Sequence, residues 1–355
     1  MRKSLMLAAL AASTASIGSA YAADPTVIAE PEPAEFVKTC DVYGVGFFYI
    51  PGTETCLRLS GYVRYDIGVG KNLGSDVDGD GLGDTYYKRA RFALKTDARS
   101  QTELGELRAY AQINFDRDTN GSIWNYNTFG SPVADNLYIN HVYMQLGGFR
   151  VGMTDSVFTT LTDYAGNVIN DWLLGYGPFR TNQISYTYTG GNGFAATVAL
   201  EQGAGGYTID NYVPHVVGGV SLTQGWGRAM AVAAYDSVNE VWAGKARVDV
   251  KVTDMVTLWA MAGYKSDKNV PNYYGNWEGS WAVWGGGTAK VNEKTSLNMQ
   301  LAYDAGKEFV AVANVSREVV PGFYVTPELV YTSKIGYIAN GKGSVGGFLR
   351  FERDF

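Results

Sequence analysis

From Leu57 onward the chain alternates between apolar and polar residues. Leu57, Leu59, Val63, Tyr65 and Ile67 fall on one side of an extended segment, and Arg58, Ser60, Tyr62, Arg64 and Asp66 fall on the other, because successive strand side chains point to opposite faces. The pattern returns with Leu107, Ala109, Ala111, Ile113 and Phe115 against Glu106, Arg108, Tyr110, Gln112 and Asn114. It returns again at 245–252, at 297–304 and in the last stretch, where Val345, Gly347, Leu349, Phe351, Arg353 and Phe355 oppose Gly346, Phe348, Arg350, Glu352 and Asp354. Segments of about ten residues with one apolar and one strongly polar face suit a barrel with lipid outside and water inside. After residue 22 the chain has no run of the roughly 18 apolar residues that a membrane helix needs, so a membrane form must cross with strands. The 44 glycines, 25 tyrosines and only ten prolines favour turns, strands and interfacial rings over helices.

Residues 1–22 read as a secretory signal, with Arg2 and Lys3 before an apolar stretch and Ala20-Tyr21-Ala22 as the cleavage site. Residues 23–39 are acidic and contain Pro25, Pro31 and Pro33, the composition of an extended tether. Loss of Arg2 and Lys3 takes the formal net charge from −6 to −8, which argues against nucleic acid as a partner. Two cysteines, Cys40 and Cys56, are expected to form a disulfide in an exported chain, and two buried free thiols are the alternative.

The opening stretch Cys40-Asp-Val-Tyr-Gly-Val-Gly-Phe-Phe-Tyr-Ile-Pro-Gly-Thr-Glu-Thr-Cys-Leu-Arg58, leading into Gly61-Tyr-Val-Arg-Tyr65, resembles the signature of the rhizobial-type outer-membrane porins of alphaproteobacteria. Gly147-Gly-Phe-Arg-Val-Gly152 and the closing Leu349-Arg-Phe-Glu-Arg-Asp-Phe355 are similar to the same family. The resemblance spans nearly the whole mature chain. The end is also similar to the terminal-phenylalanine strand by which such barrels are recognised for assembly, which implicates Phe351 and Phe355. Arg353 departs from that pattern, and an arginine at the membrane rim snorkels to the headgroups. The resemblance implies a homotrimer in the outer membrane, with lipid, lipopolysaccharide and the barrel-assembly machinery as partners. Small outward residues such as Ala311 and Ala313 give barrels room to pack closely.

The expected fold is all-β: a transmembrane antiparallel β-barrel of about sixteen strands over residues 40–355. Short turns are expected near 98–102, 147–148, 190–193, 224–227, 253–254, 291–294 and 320–322. Long connections are expected near 71–84, 116–136, 155–181, 202–213, 236–239, 265–278, 305–307 and 333–344. The weakest alternation is at 279–290, where Trp281, Trp284 and three glycines interrupt it. Tyr86, Tyr87, Trp226, Tyr264, Phe323, Tyr324 and Phe355 stand near strand ends, as aromatic girdles do. Tyr273, Tyr274 and Trp277 fall in a loop, where they would suit a contact with a partner or with lipopolysaccharide.

Residues 155–181 form the longest connection and hold the ordinal place of the loop that narrows general porins; the resemblance implies that role. The loop carries Asp155, Asp163 and Asp171, and inward positions of the first strands carry Arg58, Arg64, Arg89, Arg91, Lys95 and Arg108. A basic wall facing an acidic loop gives a transverse field that selects among solutes. Alternatively, these arginines pair with lumen carboxylates and keep the wall hydrated. Asp76, Asp78, Asp80 and Asp84 open like a calcium loop, but Tyr87 replaces the bidentate glutamate at the twelfth position, so a solvated surface loop is the stronger reading. His141, placed in the lumen, and His215 stand in no metal or nucleophile motif. The chain therefore reads as a passive channel for small hydrophilic solutes and ions, without cofactor or enzymatic step. A substrate-specific channel, a plugged receptor or adhesin barrel, and a soluble exported sandwich are the rivals.

Overall fold

The computed structural model describes residues 38–76, 83–119, 134–334 and 343–355. The strands, in chain order, are β1 (Phe48–Tyr49), β2 (Cys56–Val69), β3 (Tyr87–Thr102), β4 (Gly105–Asp118), β5 (Ala134–Leu146), β6 (Phe149–Asp155), β7 (Arg180–Thr189), β8 (Phe194–Glu201), β9 (His215–Gln224), β10 (Gly227–Asp236), β11 (Val241–Lys251), β12 (Val256–Lys265), β13 (Trp281–Asn292), β14 (Thr295–Asp304), β15 (Phe309–Val320), β16 (Phe323–Thr332) and β17 (Ser344–Asp354). Each strand from β2 to β16 pairs antiparallel with the next, and β17 pairs with β2 from Gly347↔Val69 to Asp354↔Tyr62. The sixteen strands β2 to β17 thus form a closed wall. Closure satisfies every ladder within the sheet, which lipid demands because no water reaches an open edge there.

The alternation decides what each face meets. Leu59, Val63, Leu137, Met144, Leu258 and Leu329 point outward and are exposed, while Asp66, Asp97, Asn114, Gln300 and Glu328 point inward and are buried. Short turns and long connections alternate as the sequence suggests, with one shift. The first short turn lies between Thr102 and Gly105, not at 98–102. β3 runs on because Asp97 and Arg99 keep their inward places and find ionic partners there. The interrupted alternation of β13 has a packing cause: a Cβ at Gly286 would clash with the Met299 carbonyl of β14 and meet the Trp259 indole of β12 at 3.0 Å.

The aromatic girdles need two corrections. Tyr86, Trp226, Tyr264 and Phe355 are exposed outward, but Tyr324 lies opposite Glu352 on the inner face, and Tyr87 points inward and stacks on Phe348 at 6.2 Å. Its place in β3 puts it on the same face as Arg89. Arg353 reaches from the outer face to the Pro321 carbonyl of the last short turn, 3.3 Å away, so its charge sits at the rim. At that same end Cys40 and Cys56 are joined, with Cα atoms 6.0 Å apart, and Phe47 is buried against them. Replacing both cysteines by serine should lower stability by about 3 kcal/mol in the chain-entropy account, measurable as an earlier thermal transition of the detergent-solubilised protein under non-reducing conditions.

Candidate functional site

The 156–179 connection follows β6 and turns into the barrel at once. Ser156 caps a single helical turn, α1 (Val157–Thr160), its Oγ accepting from the Phe158 N–H at 3.1 Å. The same hydroxyl donates to Glu201 of β8 at 2.8 Å, and the Val157 N–H donates to Glu201 at 2.8 Å. From this anchor the loop runs along the inner wall. Lys245 donates to the Tyr176 carbonyl and Arg247 to the Tyr164 carbonyl. The Trp284 indole donates to the Leu174 carbonyl at 3.3 Å, and Gln300 to the Asp171 carbonyl at 2.9 Å. Glu328 of β16 accepts from the Asn170 N–H at 3.0 Å and the Asn170 amide at 2.7 Å. Phe158, Leu174 and Tyr176 are buried with Val217, Trp259 and Trp284. A loop whose carbonyls and amides are answered by strands β8, β11, β13, β14 and β16 is held in place, since each unmet buried group would be costly.

A second connection, 266–280, also folds inward. Tyr273, Tyr274 and Trp277 are buried, contrary to the expectation of an outer contact. Tyr274 donates to Glu201 at 3.0 Å and packs on Phe158 at 5.2 Å, and Asn276 exchanges hydrogen bonds with the backbone of Gly177. Burial of these rings between loop and wall removes apolar surface from water that an outer position would expose. His215 lies beneath them, stacked on Tyr273 at 5.4 Å. It takes no part in the open lumen.

The inner faces of β17 and β2 to β5 carry the arginine wall, and the loop reaches its edge, where Ile169, Asn170 and Trp172 share a cleft with Tyr87, Arg89, Phe348 and Arg350. Arg64 pairs with Glu352, and Arg89 and Arg350 share Asp66 at 2.6 and 2.8 Å. Arg91 binds Asp116 through two bonds of 2.7 and 2.6 Å and donates to the Tyr138 hydroxyl. Arg99 and Arg108 both bind Asp97 at 2.8 Å, with Arg58 3.6 Å away. A cavity of about 540 Å³ opens on this wall, lined among others by Arg58, Lys95, Arg108, Tyr110, Tyr143 and Asp354. His141 lines it too, its Nε2 2.7 Å from the Asn140 amide and its Nδ1 3.0 Å from the Thr154 hydroxyl.

The three carboxylates expected on the loop, of which Asp155 instead ends β6, have other neighbours. Asp155 accepts from the Tyr164 hydroxyl at 2.6 Å, Asp171 accepts from the Tyr176 hydroxyl at 2.6 Å, and Asp163 stands 3.5 Å from Arg228 of β10. Among the described residues none of them is ion-paired with Arg64, Arg89, Arg91 or Arg108. Of the aspartate-rich loop, Asp78 and Asp80 lie outside the described residues, as do the expected leader and most of the tether. Asp84 donates its N–H to the Ser75 carbonyl. The alternative reading, arginines paired with lumen carboxylates, describes this wall; the sequence placed Asp66 and Glu352 on the polar faces but singled out neither them nor Asp97 and Asp116 as the partners. All four occupy inward positions of the alternation, which is the signal that marks them.

A model of the porin subfamily matches residues 24–346. Over 365 aligned positions the chain is 46% identical to the porin Omp2b of Brucella suis biovar 1, covering 99% of each chain, and it matches the porin Omp2b of Brucella melitensis to the same extent. This chain belongs to the porin family. Solved porins share its architecture: the outer membrane channel DcaP of Acinetobacter baumannii superposes with a TM-score of 0.66 at 20% identity, over 86% of this chain and 99% of that one. The anion-selective porin of Comamonas acidovorans gives 0.54 at 15% identity, over 85% and 100%. This porin is therefore a multi-pass β-barrel of the outer membrane that forms a channel, and the soluble-sandwich reading is set aside by its closed wall and lipid-facing leucines.

One loop group of this porin titrates unusually. Burial pushes the Asp171 carboxyl up to about 6, with Glu328 adding to the rise and the Tyr176 hydroxyl opposing it. A carboxyl whose folded value lies above its ordinary 3.8 favours the packed loop while protonated and opposes it once ionised. Stability should fall as pH rises from about 4 to about 6. Asp171→Asn should flatten that limb of the thermal-stability profile in detergent.

Proposed function

We propose that this porin is a passive, water-filled diffusion channel for small hydrophilic solutes and ions, narrowed where the 156–179 loop faces the basic wall. Arg64, Arg89, Arg91 and Arg108 form one side of that constriction, and Asp155, Asp163 and Asp171 the acidic side. The single observation that carries the reading is the division of the lumen: the loop is bonded to β8, β11 and β13 to β16, while Arg58, Lys95 and Arg108 of β2 to β4 line an open cavity. Paired guanidiniums keep that wall hydrated and fix its charges, so permeant ions meet an ordered field at little reorganisation cost. Transport follows the solute's own gradient, with no covalent step and no cofactor. Three barrels assemble through outward faces carrying small residues such as Ala311 and Ala313, and Phe351 and Phe355 on β17 serve as the assembly signal. Lipopolysaccharide surrounds the outer rim.

The test is single-channel recording of detergent-extracted protein in a planar bilayer, in potassium chloride with a salt gradient. Ohmic steps in groups of three are the expected result, together with an altered ion preference when Arg64, Arg89 and Arg91 are replaced. Saturable flux of one solute would favour a substrate-specific channel instead. Folded protein without steps would overturn the open-pore reading and favour a plugged receptor, for which the inward packing of 266–280 is the supporting observation.

A further inference from the structure

We infer that Phe47, held by the Cys40–Cys56 disulfide, is a positioning residue for ion selectivity at the short-turn mouth, an inference that rests on the channel reading above. The side chain belongs to the segment that precedes the barrel, not to the barrel wall. Its ring is buried against the disulfide, and the Cys40 N–H donates to the Phe47 carbonyl at 2.9 Å. Two guanidiniums lie over that ring, Arg58 at 4.8 Å and Arg99 at 5.3 Å from its centroid. Tyr43 of the same segment is 5.9 Å from Phe47 and takes Arg99 over its own ring.

What makes this more than packing is the charge arrangement. Arg58, Arg99 and Arg108 converge on one buried carboxylate, Asp97. Glu106 gives Arg99 a second, longer partner at 3.3 Å. Three like charges around one aspartate repel one another, and Arg58 has the loosest hold, at 3.6 Å. The Phe47 ring face compensates: a cation over an aromatic face is attracted by its quadrupole and loses freedom to disperse. Arg58 and Arg108 also line the lumen cavity, as Asp354 does, so where the ring holds Arg58 sets part of the field that a permeating ion meets. The segment 39–55, closed by its disulfide, thereby shapes the lumen from outside the barrel.

The experiment measures the reversal potential of the full-length protein in a potassium chloride gradient, with folding checked by heat-modifiable mobility and the disulfide by thiol labelling. Phe47→Leu lets Arg58 disperse into solvent and should lower the chloride-to-potassium permeability ratio about twofold, the scale of one weak cation–π contact. Phe47→Tyr keeps the ring and should restore the wild-type value, which a merely structural role does not predict. With Arg58→Gln and Arg99→Gln already present, Phe47→Leu should add no further shift. An unchanged reversal potential in folded, disulfide-bonded Phe47→Leu overturns the inference. If Phe47→Leu fails to fold, Phe47→Met decides: it removes the ring face at similar volume and should give the same shift, and no shift in that folded variant overturns the inference equally. Wild-type protein without steps instead sinks the channel reading itself, so the two failures are distinguishable.

Discussion

Asp66→Asn is expected to weaken the barrel by about 3–5 kcal/mol, the usual cost of removing one partner from a buried ionic cluster. The carboxylate is fully buried and accepts from Arg89 of β3 and from both Nε and Nη2 of Arg350 of β17. It therefore ties three strands together at the seam where the last strand meets the first. Asparagine keeps the shape and loses the charge, which leaves Arg89 and Arg350 without the carboxylate that pairs with both. Two readouts should move together: the thermal transition in detergent falls, and the reversal potential in a salt gradient shifts toward anions. Asp163→Asn is the contrasting case, because its pair with Arg228 is 3.5 Å long and both side chains are exposed. Such a pair contributes at most about 1 kcal/mol, and its loss should leave the transition nearly in place. Equal effects from the two variants would show that burial of the Asp66 cluster is not what strengthens the seam.

Glu328→Ala should free the constriction loop while leaving the barrel closed. The carboxylate accepts from the N–H groups of Ile169 and Asn170, from the Asn170 amide and from Asn314 of β15. Alanine leaves these donors facing each other without an acceptor, at about 1–3 kcal/mol for each one that water does not reach. The loop middle should detach locally, since Ser156, Val157 and Tyr274 still hold its start through Glu201. Single-channel records should then show flicker between sublevels, while heat-modifiable mobility stays that of a folded barrel. Quiet steps of wild-type size would mean that Glu328 does not hold the loop.

The barrel was legible because a strand's period of two is local. Each of Arg58, Arg64, Arg89 and Arg108 is assigned to the lumen by its immediate neighbours, and the turns are marked by residues that tolerate them. Even the short connections at 237–240 and 305–308 are real, with the non-glycine residues Glu240 and Lys307 at φ of 56° and 67° where the chain bends. The interior was less legible, because it depends on residues far apart in the chain. Arg64 meets Glu352, and Asp66 meets Arg350, only once β17 lies beside β2. Tyr273, Tyr274 and Trp277 look like surface rings in an irregular segment, yet the barrel offers them Glu201, Lys265 and the 156–179 loop as neighbours.

The sequence by itself determined the class, the faces of the strands, the number of crossings, the cysteines available for a disulfide and the family, since all of these are carried by periodicity and contiguous motifs. Tertiary structure alone decided which carboxylate holds which arginine, which wall the long loop covers, and that a second loop joins it inside. The physical reason is that a closed barrel brings its two ends and its loops into one lumen, where pairing follows distance across the pore and not position along the chain.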